Sequence, residues 1–64
     1  MLEFTKKILT KVSFDRMLFT KELKKAVKWL THDELQLLKT WCNHRFGNMY
    51  GDVINETFAG VSFA

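Results

Sequence analysis

No proline interrupts this chain and its three glycines stand at 47, 51 and 60, so residues 1–46 contain neither of the strongest breakers of regular structure. A run that long can be divided only by helix caps and by shifts of charge. Where its apolar residues recur every three or four positions, helices satisfy the pattern and strands do not. The sequence therefore predicts an all-α fold: a small bundle of three to four short helices in one domain, with a central antiparallel helical hairpin.

Size sharpens that expectation. A chain of 64 residues hides only about 60% of the surface that its unfolded form exposes, and burial then barely offsets the conformational entropy lost. Small domains usually add a disulfide, a metal or a partner. Cys42 is the only cysteine, so no intrachain disulfide can form. A composition that is 47% hydrophobic and 14% aromatic nonetheless favours folding over disorder.

Four helices are predicted. Phe4, Ile8, Leu9 and Val12 define a first over residues 2–12. Ser13 is placed to cap a second over 14–30, with Asp15 in its first turn, although one longer bent helix would show the same pattern. At about 100° per residue, Phe19, Leu23, Ala26, Val27 and Leu30 share one arc of that helix. "THDE" at 31–34 has the form of a capping box, Thr31 with Glu34, and starts a third helix over 32–46. Leu35, Leu38, Cys42 and Phe46 form its inner stripe, and Gly47 is expected in the left-handed region just past its end. Tyr50, Val53, Ile54 and Phe58 mark a fourth over 49–59. The hairpin turns at Leu30 and Thr31.

Charge is uneven along the chain. Residues 1–30 hold eight Lys and Arg against three acids, a net +5, while residues 31–64 hold two against four, a net −2. Lys21, Lys24, Lys25 and Lys28 stand opposite the apolar arc of the second helix, as a ridge that suits an anionic or acidic partner, or simply as its solvated back. No apolar run approaches the ~20 residues of a spanning helix. The start "MLEFTKKILTKV" also lacks the apolar core of a secretory signal. With one free cysteine, these features point to a cytoplasmic location.

Chemistry is sparse. Cys42 and His44 lie about 200° apart on a helix and cannot converge on one ion, so Cys42 is expected in the core, His32 and His44 at the surface, and no metal or cofactor. Asp33 with Glu34, and Asp52 near Glu56, sit where helix starts place acids. No glycine-rich loop, nucleophile elbow or HExxH is present, and the expectation is that the chain is not an enzyme. A helix-turn-helix would put Asp33 and Glu34 where DNA phosphates should be met. An amphipathic membrane-surface helix is a weaker alternative, because the later helices offer those apolar faces a soluble core.

Surplus apolar surface is the stronger lead. Leu18 and Trp29 flank the arc of the second helix, Leu37 and Trp41 widen the stripe of the third, and the tail adds Val61 and Phe63. The leading expectation is a non-enzymatic protein-interaction module, self-associating as a homodimer or docking on another protein, with Leu18, Trp29, Leu37 and Trp41 as contacts. The alternative is a nucleic-acid- or ribosome-associated accessory protein that uses the lysine ridge. The segments "KVSFD", "LFTKELKKAVKWL", "ELQLLKTWC" and "FGNMYGDVI" together resemble small uncharacterised bacterial helical proteins. That resemblance implies a free-standing small protein and carries no activity, ligand or site.

Overall fold

A computed structural model describes residues 1–61 as three helices with no strand among them: α1 (Leu2–Lys11), α2 (Arg16–Trp29) and α3 (His32–Ala59). Each of the three packs against the other two. Phe63 lies outside the described residues.

The break between α1 and α2 is real, but its cap is Asp15, not Ser13. Asp15 is extended, and its Oδ1 accepts from the backbone N–H of Met17 at 2.9 Å and of Leu18 at 3.2 Å. The Ser13 hydroxyl instead donates backwards to the carbonyl of Thr10 at 2.7 Å, closing the end of α1. A side chain engaged with the preceding helix cannot cap the next, so α2 starts two residues later than its apolar pattern suggests.

At the other corner, the local chemistry of the sequence is realised. The Thr31 hydroxyl accepts from the Glu34 amide at 3.3 Å, and the Glu34 carboxylate accepts from the Thr31 amide at 3.0 Å. With Leu30 and Thr31 both extended, two residues suffice to join α2 to α3, an arrangement compatible with the expected hairpin.

The predicted third and fourth helices run on as the single element α3, and the break between them is a kink at Tyr50 instead of a stop at Gly47. Gly47 is helical, no glycine has positive φ, and the sole non-helical residue within α3 is Tyr50, at φ −127° and ψ 28°. Tertiary contacts at Tyr50 explain why the kink lies there. Its ring stacks on Phe19 with centroids 4.5 Å apart and planes at 22°, and its hydroxyl donates to the Ser13 carbonyl at 2.6 Å. These contacts fix Tyr50 from outside its own helix, and the glycines on either side lower the resistance of the helix to bending.

One cluster of buried residues runs through all three helices. Leu9 comes from α1; Phe19, Leu23 and Ala26 come from α2, with Leu30 at its C-cap; Leu35, Leu38, Cys42, Phe46, Tyr50, Val53, Ile54 and Phe58 come from α3. Arg16 donates to Asp52 and so fastens the start of α2 to the second half of α3. Its guanidinium holds the Asp52 carboxyl below the usual carboxylate range, and the amide of Thr31 does the same for Glu34.

The sign of the pH dependence follows. Both carboxyls bind protons less readily in the fold than in the unfolded chain, so their stabilisation is present above about pH 4 and is lost as pH falls through the lowered native values. We predict that the thermal midpoint drops on acidification from pH 7 to pH 2, and that a Glu34→Gln/Asp52→Asn variant shows a shallower acid limb. An identical acid limb in the two proteins would refute this assignment.

Candidate interaction surface

Trp29 is 73% exposed and Phe4 59% exposed, a large apolar display for a core this thin. They lie on opposite walls of a groove between α1 and α2, which α3 does not enter. Met1 and Ile8 continue the α1 wall, Ala26 forms part of the floor, and Lys25 and Glu22 stand at the α2 side. Lys25 and Glu22 pair loosely at 3.8 Å. The periodicity explains the groove: Phe4 and Ile8 are one turn apart on α1, as are Lys25 and Trp29 on α2.

Of the four apolar contact candidates, the two tryptophans open on different depressions. Trp29 opens on the α1–α2 groove, Leu18 is exposed near the start of α2, and Leu37 is exposed on α3. Trp41 is half-buried against Phe46, with ring centroids 5.5 Å apart in an edge-on arrangement. It faces a second cleft, between α1 and α3, where Lys6 Nζ lies 5.9 Å and Arg45 Cζ 5.7 Å from its ring centroid. Both distances fall within cation–π range.

The lysine ridge is divided too. Lys25 belongs to the Trp29 groove, whereas Lys21 and Lys24 border a shallow depression with Arg16, Met17 and Thr20. Lys21, Lys24 and Lys28 are exposed and make no ion pair with another described residue.

Helical periodicity alone misses several exposed side chains. Phe14, 81% exposed, lies in the connection before α2, and Met17 is equally bare in its first turn. Met1, Phe4, Phe14, Met17, Leu18 and Trp29 make up six of the eight large apolar side chains exposed among the described residues. All six fall in the half that carries the net +5. The available signal was this coincidence of apolar and basic residues in residues 1–30, which a search for each helix's buried face passes over.

Cys42 is fully buried on the inner stripe of α3, and burial pushes its thiol up to about 12. His32 and His44 are exposed. No helix among the described residues is long and apolar enough to cross a membrane. Comparison with protein-family models, curated proteins and solved structures returns no match.

Proposed function

We propose that this chain is a non-enzymatic interaction module that docks on another protein through the face formed by α1 and α2. The observation that supports it most is the groove in which Phe4 and Trp29 stand exposed across from one another with no contribution from α3. Paired aromatic walls around an apolar floor are what an anchoring side chain of a partner fills. Lys21, Lys25 and Lys28 lie on the same helix as Trp29 and favour a partner with an acidic rim. The half of the chain that forms this face carries a net charge of +5, so an acidic partner complements it and a second copy of the same face does not.

The test is affinity capture from native lysate with nuclease present, using the wild-type chain and a Phe4→Glu/Trp29→Glu variant, together with sedimentation of each. Expected are an acidic protein held by the wild type and lost from the variant, and a monomer when the chain is alone. Capture that survives the double variant would refute the assigned face. A salt-resistant dimer abolished by Trp29→Glu would replace the acidic partner with a second copy.

A further inference from the structure

We propose that the cleft between α1 and α3 binds the sugar-phosphate backbone of a single-stranded nucleic acid. This site is separate from the Phe4–Trp29 groove and does not depend on it. Lys6, Lys7 and Lys11 from α1 and Arg45 from α3 line the cleft around Trp41, and the only acid among its lining residues is Glu3. Glu3 pairs with Lys6 at 3.2 Å, while Lys7 and Lys11 are exposed and make no ion pair with another described residue. Two helices thus bring four cations into one cleft with one counter-charge, and an external polyanion would relieve the repulsion between them.

The arrangement selects the kind of anion. Lys7 and Lys11 are one helical turn apart, about 6 Å along the axis, so the cations form a row and do not converge on a point. A row suits successive phosphates better than one compact phosphate. Arg45 is held over the rings of Trp41 at 5.7 Å and Phe46 at 5.8 Å, which orients a planar fork suited to phosphate oxygens. Lys6 and Arg45 occupy the neighbourhood of the Trp41 ring, so the site offers little for base stacking, and recognition is of backbone without sequence preference. A flexible single strand can bend so that its successive phosphates meet cations set on two helices across this open depression, a fit that a straight, rigid duplex makes less completely.

Fluorescence anisotropy with a labelled oligo-dT strand tests the proposal. With about three phosphates neutralised, the logarithm of affinity should fall against the logarithm of salt with a slope of about −2. Lys7→Glu/Lys11→Glu should weaken binding by more than about tenfold at low salt. Lys21→Glu/Lys24→Glu on α2, and Trp29→Glu in the other groove, should change it by less than about twofold because neither lies in the cleft. All these positions are exposed, and far-UV circular dichroism checks that each variant keeps its helicity.

Three results would overturn the proposal. An equal loss from the α2 pair would show that the α2 ridge or general charge holds the strand. Equal affinity for polyglutamate would make the site one for acidic protein segments. A duplex bound as tightly as the single strand would overturn the choice of a single strand and make the site one for nucleic-acid phosphates at large.

Discussion

Replacing Phe19 with alanine is expected to unfold the protein or bring it to the edge of unfolding. Phe19 is fully buried, stacks on Tyr50, and meets Phe46 edge-on with centroids 5.2 Å apart and planes at 68°. Truncating a buried phenylalanine costs about 3–5 kcal/mol. A domain of this length has about 3–10 kcal/mol of stability in total, so that cost consumes much or all of the margin. Loss of the stack also releases Tyr50, whose hydroxyl joins α3 to the carbonyl of Ser13, and the effect should therefore reach the α1–α2 corner. Urea unfolding followed by far-UV circular dichroism measures it. Phe14→Ala is the matched control: this phenylalanine is exposed, and its loss should change stability by no more than about 0.5 kcal/mol. Similar urea midpoints for Phe19→Ala and the wild type would refute the place given to this ring in the core.

The contrast between these two phenylalanines shows what the sequence could convey. Phe19 falls in an arc with Leu23, Ala26, Val27 and Leu30, of which all but the half-buried Val27 are buried; the helical period is sufficient to find them. The inner stripe Leu35, Leu38, Cys42 and Phe46 and the later set Tyr50, Val53, Ile54 and Phe58 were legible for the same reason. The Thr31–Glu34 box was legible because its hydrogen bonds are local.

What was not legible depended on contacts between distant residues. Gly47 reads as a stop because glycine tolerates a left-handed cap, yet packing carries the helix through it and places the distortion at Tyr50, which residues of α1–α2 hold. Ser13 and Asp15 are both competent caps. The choice between them turned on the Ser13 hydroxyl bonding back to α1. The candidate surface was half legible: Trp29 stands exposed as its flank position suggested, but Phe4 looked like part of a core stripe. Its exposure arises because α1 and α2 meet each other and α3 along only part of their apolar arcs, a fact of helix placement that no single helix's pattern contains. Trp41 shares the same uncertainty of flank, and only the approach of Lys6 from α1 makes it the centre of a basic cleft.

The free thiol gives a second large effect, and one that reports on the fold from within. Cys42 is the only cysteine, so any thiol reagent reads a single site. Burial, which disfavours the thiolate, lifts its pKa from 9.0 to about 12, and near neutral pH the native protein therefore holds about a thousandth of the thiolate of an ordinary cysteine. With the side chain also closed to solvent, iodoacetamide at pH 8 should label the native protein at least about a hundredfold more slowly than the protein in guanidinium. Labelling in the native state then proceeds through opening of the core, and Phe19→Ala should accelerate it steeply. The same raised pKa has a definite sign in the alkaline range. Below about pH 9 the thiol is protonated in both states and its contribution to stability is fully present; as pH rises toward 12 the unfolded chain releases this proton while the native protein retains it. Stability attributable to Cys42 therefore declines across that window, by up to about 1.4 kcal/mol per pH unit. Lysines and tyrosine titrate in the same range, so the comparison that isolates the thiol is with Cys42→Ala, which should be less stable at pH 7 because of the cavity it leaves, yet lose stability less steeply above pH 9. Equal labelling rates in the folded and unfolded protein, or parallel alkaline limbs for the two chains, would show that the thiol is not sealed in the core.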